Sequence, residues 1–261
     1  MKIDHWNAQH YHDSSDMQYR IAHDILADET FHQNDTVLDI GCGSGKITVD
    51  IASLVKQGQV VGIDLSEQMI TFANKQYKHI ENLSFAQGDI LDLQLKSEFT
   101  KVTTFNMLQW VSDFNLAFKR IYHCLKSNGR FIGGYFLKCY PIWDPVDELI
   151  TQVHWQPYFK DYDAGFYQNE RDYCQSALEQ AGFDSSSVIE INKDYFFKDR
   201  AHFISHSKNW LPHLSRLPND KIDRFLSELA DSVIKQGYMN NKGNIIVSGN
   251  YITFKAIRST T

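Results

Sequence analysis

Between residues 36 and 137 short apolar runs alternate with segments of helical period. "TVLDI" (36–40), "QVVGID" (59–64), "LSFAQGD" (83–89) and "KVTTFNM" (101–107) read as strands. Residues 44–56, "SEQMITFANKQY" (66–77) and "DFNLAFKRIYHCL" (113–125) fill the intervals with helical spacing. Ser66 stands where an N-cap belongs, and Leu116, Ile121 and Leu125 mark the expected inward face. "NGRFIGGYF" (128–136) adds a turn and a fifth strand. Strand and helix taking turns in this way predict right-handed crossovers and a doubly wound, mostly parallel α/β sheet.

The rhythm differs at either end. Before residue 36, Met17, Ile21 and Ile25 recur at four-residue spacing, predicting an amphipathic helix capped by Ser14 or Ser15. After residue 137 the segment 138–167 is aromatic, contains prolines and shows no clean period, as expected of an inserted lid or substrate cap. "ERDYCQSALEQAGF" (170–183) returns to helix with Gly182 as its C-cap. "SVIEINKDYFF" (187–197) reads as a strand, residues 219–237 as a helix, and "NIIVSGNYITFKAI" (244–257) as a strand or hairpin. No repeat or linker divides the chain. One domain over 1–261 is expected, with a helical cap at 1–35, a ligand-binding core at 36–137, a lid at 138–181 and completing elements at 182–261.

Composition narrows the classes. A net charge of −6 without any basic run disfavours nucleic acid as partner. Cys42, Cys124, Cys139 and Cys174 show no CxxC pairing, and "MKIDHWNAQH" carries no apolar leader run. Free thiols, no membrane partner and a cytoplasmic location are therefore expected. The 17 Phe, 13 Tyr and 5 Trp, many of them beyond residue 130, suit either an apolar pocket or a Phe-rich core. His202 and His206 lie four apart, as do other near-neighbour histidines, but no third ligand sits at metal-site spacing, so no metal is expected.

The chemistry concentrates in "VLDIGCGSGKIT" (37–48). A phosphate-binding P-loop needs four residues between its first Gly and the Gly-Lys pair, followed by Ser or Thr. Gly41 and Gly45 bracket three, and Lys46 precedes Ile47. The dinucleotide pattern G-x-G-x-x-G fails as well, because its sixth position is Lys46. What remains is Asp39 followed by Gly41, Gly43 and Gly45 on a strand-to-helix turn. A fixed carboxylate there opposes a pyrophosphate and favours a cationic, phosphate-free ligand such as S-adenosylmethionine. Asp64 ends the second strand, placed to accept from ribose hydroxyls, and Asp89 ends the third, placed to reach the adenine amino group beside Ile90. Each acid alone also suits a loop cap.

On "VLDIGCGSG", "VVGIDLSEQM", "FAQGDI", "NMLQWVSD" and "LKSNGRFIGGYF" the chain resembles class I S-adenosylmethionine-dependent methyltransferases. Within them it is similar to the carboxyl-methylating group that acts on trans-aconitate, juvenile hormone acid and malonyl carrier protein. The N-terminal "WNAQHYHDSSDMQ" and the "LQWV" after the fourth strand carry the same likeness. The resemblance implies a Rossmann-like, seven-stranded sheet. It implies that Asp39, Gly41, Gly43 and Gly45 hold the methionine part of the cofactor, with Asn106 contributing its backbone. Asp64 takes the ribose with Leu65 and Met69 nearby, and Asp89 and Ile90 take the adenine. Tyr11 is placed on the cofactor and, with Gln18, on one face of a single helix should that helix reach back so far. Gln18 and Trp110 fall at the substrate mouth, each offering an N–H donor to a carboxylate.

The implied activity is methyl transfer to the carboxylate of a small organic acid, leaving S-adenosylhomocysteine. O- or C-methylation of a phenol or quinone, and cofactor binding without catalysis, remain open at this point. Trp143, Trp155, Tyr158 and Phe159 are candidates for closing the lid or for core packing. Lys138, Lys160 and Arg171 are the only cations between 138 and 175, which favours an apolar monocarboxylate.

Overall fold

The computed structural model describes residues 7–94, 96 and 98–259. Residues 1–6 of the expected cap, with Trp6 of its signature, lie outside the described residues. The chain opens with two helices, α1 (Ala8–Ser14) and α2 (Asp16–Leu26). Then follow β1 (Thr36–Ile40), α3 (Lys46–Leu54), β2 (Gln59–Asp64), α4 (Glu67–Tyr77), β3 (Leu83–Gln87), β4 (Phe99–Phe105), α5 (Phe114–Cys124) and β5 (Leu125–Phe136). Beyond them come α6 (Tyr140–Ile150), α7 (Arg171–Ala181), β6 (Ser185–Phe197), α8 (Arg200–Trp210), α9 (Asn219–Val233) and β7 (Ile245–Arg258). The strands make one seven-stranded sheet in the order β3-β2-β1-β4-β5-β7-β6. β1 pairs in parallel with β2 and β4, and the pairs β2–β3 and β4–β5 are parallel too. This is the Rossmann-like α/β arrangement, and its strand order reverses at β1 and β4.

The local chemistry explains most boundaries. Ser66 caps α4 by accepting from the Met69 N–H at 3.2 Å, and Asp113 caps α5 through the Leu116 N–H at 2.8 Å. Gly182 ends α7 with φ 105°, the left-handed turn that glycine adopts without strain. On α5 the buried stripe is Phe114, Ala117, Phe118, Ile121 and Cys124, while Leu116, expected inward, is only half-buried. Met17 is half-buried as well. The buried face of α2 is Gln18, Ile21, Ala22 and Ile25, and an amide thus occupies a core-facing position. The tail expected as strand or hairpin is the single strand β7.

The chain separates into two compact units. The first holds residues 1–135, 169–190 and 252–261, and the second holds 136–168 and 191–251. In the first unit Phe118, Phe131, Tyr135 and Phe254 form one aromatic core. Near the amino ends of β1 and β4, Glu29 is buried to 1% side-chain exposure between Lys101 (3.2 Å), Arg130 (3.1 Å) and Lys255 (4.0 Å). Removing one partner of such a cluster leaves an uncompensated buried charge. Glu29→Ala is expected to cost about 3 kcal/mol of stability, read as a lowered urea midpoint.

In the second unit α6 is a helix, contrary to the irregular segment expected there. Pro141 sits in its first turn, where no N–H is needed, and Ile142, Trp143, Val146 and Leu149 form its buried stripe. Trp155 and Phe159 pack on Phe225 of α9, and the Trp155 indole donates to Glu228 at 2.7 Å. These aromatics therefore belong to that unit's core. No helix among the described residues is long and apolar enough to cross a membrane.

Candidate active site

The turn leaving β1 is built from left-handed residues. Gly41, Gly43 and Gly45 have φ of 73°, 53° and 81°, values that disfavour any side chain. The N–H groups of Gly41 and Cys42 both donate to the Ile63 carbonyl on β2, drawing the turn over the strand end. A methyl group on Gly41 would lie 2.4 Å from Met107, and one on Gly45 2.7 Å from Phe85. At Gly43 the nearest atom to such a methyl is Tyr11 Cε1 at 3.5 Å. Two of the glycines thus admit close packing, while the third leaves backbone open beneath Tyr11.

Two carboxylates frame this turn. Asp39 is 2% exposed, and its oxygens accept from the Thr48 hydroxyl at 2.6 Å and the Thr103 hydroxyl at 2.9 Å. Burial pushes its carboxyl up to about 6, against the two hydroxyls, which favour the charged form. Asp64 accepts from the Gly43 N–H and from the Ser66 N–H, both at 2.9 Å, so the turn is held in shape by the end of β2. Burial, and then the charge of Asp64, raise the Tyr11 phenol well above its ordinary value.

A cleft at this point is lined by Tyr11, Ser15, Gln18, Tyr19, Asp39, Gly41, Cys42, Gly43, Ser44, Lys46, Ile47, Phe105 and Asn106. Tyr11, Gln18, Asp39, Gly41, Gly43 and Asn106 thus come together as expected from sequence. Tyr11 and Gln18 do so differently, however. They lie on α1 and α2, two helices parted at Ser15, and not on one continuous helix face. Asn106, at φ 58°, donates its N–H to Gly134, and its carbonyl accepts from the Gln109 amide at 2.9 Å. Its side-chain amide donates to the Gln18 carbonyl at 3.5 Å.

The remaining candidates lie beyond the carboxyl ends of β1, β2, β3 and β4, outside the lining residues of that cleft. Gly45 starts α3, Met69 is buried on α4, and Leu65 is 54% exposed. Asp89 caps a short turn through the Leu91 N–H at 2.9 Å, beside the buried Ile90. Trp110 is half-buried on a 3-10 turn after β4. The structure adds residues that sequence reading missed. Thr48 and Thr103 fix Asp39, and Thr103 is its register partner on β4. The α1–α2 arm is pinned by His12 to Ser44 (3.2 Å), Lys46 to Asp16 (3.0 Å), and both Tyr19 (2.7 Å) and His23 (3.0 Å) to Asp50.

These residues fit a cationic nucleoside without phosphate. Gln18 Oε1 and Asn106 Oδ1 are buried acceptors without a hydrogen-bond partner among the described residues, and both residues line the cleft. Such orphans suit an ammonium donor. Lys46, which also lines the cleft, is paired with Asp16 at 3.0 Å, while Asp39 and Asp64 frame the glycine turn. Fold and site together define a class I S-adenosylmethionine-dependent methyltransferase related to small-molecule methyltransferases.

Similarity to known proteins agrees. Residues 31–173 match the family described as Methyltransferase domain, and the chain belongs to that family. It is 31% identical over 254 residues to the methyltransferase 235L of Invertebrate iridescent virus 6, provisionally so named, covering 97% of this chain and 92% of the other. Juvenile hormone acid O-methyltransferase of Bombyx mori is 27% identical over 257 residues, 91% of this chain and 90% of that one. Among solved structures, phosphoethanolamine N-methyltransferase 2 of Haemonchus contortus superposes with a TM-score of 0.63 at 16% identity, over 97% of this chain and 57% of that one. At that identity the likeness is one of fold.

Proposed function

We propose that this enzyme transfers the methyl group of S-adenosylmethionine to the carboxylate of a small organic acid. The observation that carries the proposal is the lack of a free proton acceptor among the residues lining the cleft. Tyr11 and Cys42 are buried, and their phenol and thiol are pushed well up. Tyr19 donates to Asp50, and its phenol is raised to about 12. Lys46 is paired with Asp16, and both oxygens of Asp39 already accept hydrogen bonds from hydroxyls. A phenol or amine acceptor has to lose a proton on transfer, but a carboxylate, with a pKa of about 4, has already lost it. The whole-length likeness to a juvenile hormone acid O-methyltransferase supports the same reading.

In this reading the bound cofactor supplies an electrophilic methyl group. The protein's own part is binding, orientation and exclusion of water. Asp39, Asp64 and the glycine turn hold the cofactor, with Asp89 and Ile90 at its adenine end and Leu65 and Met69 between. The amide of Gln18 and the indole of Trp110 donate to the acceptor carboxylate. Neutral donors hold it without quenching its nucleophilicity, as a full ion pair would.

The test is a panel of carboxylic acids, phenols, quinones and amines with methyl-labelled cofactor. Label released by mild alkali is expected for acids alone. Gln18→Leu is expected to raise the KM for the acid by about tenfold, the equivalent of one hydrogen bond to a charged group. Turnover of phenols or quinones in place of acids overturns the proposal. So does tight S-adenosylhomocysteine binding without turnover of any acceptor.

A further inference from the structure

Asp39 occupies a position that works against its own charge. It lines the cleft beside the glycine turn but is only 2% exposed. Burial penalises its ionised form, and the charge that acts on it is a second anion, Asp64. No Lys or Arg pairs with it among the described residues, since Lys46 of the same cleft goes to Asp16. A carboxyl group so placed, with nothing more, would take up a proton.

Two hydroxyls act against that, and they come from different elements. Asp39 stands in register with Gly62 of β2 on one side and Thr103 of β4 on the other. In-register neighbours share a face of the sheet, so Asp39 meets the Thr103 hydroxyl on one flank and no side chain on the other. That hydroxyl donates to Oδ1 at 2.9 Å. From α3, the helix into which the turn leads, the Thr48 hydroxyl donates to Oδ2 at 2.6 Å. Both threonines are completely buried, and a β-branched side chain is stiff at χ1, so each donor is held in place. An ionised carboxylate offers about four lone-pair sites, and each oxygen therefore keeps acceptor capacity for a cation.

We propose that Thr48 and Thr103 are positioning residues for methyl transfer, their hydroxyls holding Asp39 as a fixed anion for the positive charge of the cofactor. Donors from two elements favour the ionised form and keep it in one orientation before the ligand arrives. The carboxyl stands at about 6 and is thus ionised at neutral pH despite its burial. This rests on the S-adenosylmethionine reading of the cleft and adds to it two residues that touch only Asp39.

The experiment is calorimetric titration of the full chain with S-adenosylmethionine between pH 5 and 7.5. In the parent, affinity is expected to fall as pH drops through about 6, where Asp39 takes up its proton. Removing a donor to the charged form raises that proton's affinity, so in Thr103→Val the fall should move upward by about one pH unit. The variant should then bind about fivefold more weakly than the parent at pH 6, yet within about threefold of it at pH 7.5. Thr48→Val should do the same, and it decides the matter should Thr103→Val fail to fold. Thr103→Ser, which keeps the hydroxyl, should restore the parental profile. 5′-Methylthioadenosine, which carries neither the ammonium nor the sulfonium, should bind parent and variants alike throughout. Ionisable neighbours of Asp39 are Asp64 of β2, Cys42 of the turn, Tyr11 of α1, Tyr19 of α2 and Lys46 of α3. These, and His10, His12 and His23 of the arm, are the same in every variant, so the difference between profiles isolates Asp39. An equal loss at every pH, a shift shared by Thr103→Ser, or a profile unmoved by both valine substitutions overturns the proposal and leaves the cofactor reading standing. A parent chain that binds no S-adenosylmethionine at any pH removes both.

Discussion

Gly43→Val is expected to abolish S-adenosylhomocysteine binding, lowering affinity by more than about a hundredfold while the protein stays folded. Two physical terms combine. At φ 53° a β-branched residue meets its own backbone, at a cost of about 1–2 kcal/mol. Its γ-methyl groups would also extend into the space between the turn and Tyr11, where even a bare Cβ stands 3.5 Å from the ring. Gly43→Ala should fall between, because its single methyl meets no clash. Gly45→Ala makes a useful contrast, since its methyl would lie 2.7 Å from Phe85 and 3.0 Å from Tyr77. Its loss is expected mainly in melting temperature. Titration calorimetry beside thermal melting separates the two. An affinity for Gly43→Val within about threefold of the parent would remove the glycine turn from the cofactor site.

Asp39→Asn is expected to raise stability and destroy function together. Burial lifts the carboxyl from 3.8 to about 6, so the folded protein binds this proton more readily than the unfolded chain does. The sign follows directly. The group's contribution is most favourable below the unfolded value of 3.8 and is lost as pH rises through about 6. At pH 8 the ionised group thus opposes folding, by up to about 3 kcal/mol for a shift of this size. An uncharged amide relieves that opposition, and Thr48 and Thr103 can turn to accept from it. The cofactor's positive charge needs the opposite. Affinity for S-adenosylmethionine should fall in the parent as pH drops below about 6. In the variant it should be lower by about a hundredfold or more, with little dependence on pH in that window. A lower melting temperature together with parental affinity would contradict both halves.

Much of the first unit was legible because its signals are local. A strand such as β1 is a short, mostly apolar run, and Ser66, Asp113 and Gly182 punctuate their helices through bonds to residues three or four away. The acids at the tips of β1, β2 and β3 could be placed from the strand ends alone. What escaped depended on register or on mixed faces. Nothing near Thr103 in sequence announces that it sits opposite Asp39, since only the β1–β4 pairing brings them together. The stripe of α6 was present at Ile142, Trp143, Val146 and Leu149, but Pro141 and Pro145 obscured it. α8 buries His206, Ser207 and Asn209 with Phe203, so its inner face has no apolar period to detect. Gln18 was read as a donor at the substrate mouth. Its stronger sign was an amide set into the apolar stripe of α2.

The arm formed by α1 and α2 bears on how the protein is handled. Ser15 parts two short helices, and together they bring Tyr11 from the first and Gln18 and Tyr19 from the second to the wall beside the glycine turn. His12, Lys46 and Asp50 tie that wall to its floor. A change to either helix is thus a change to the wall of the binding chamber, and its influence would be felt in ligand affinity before it was felt in solubility.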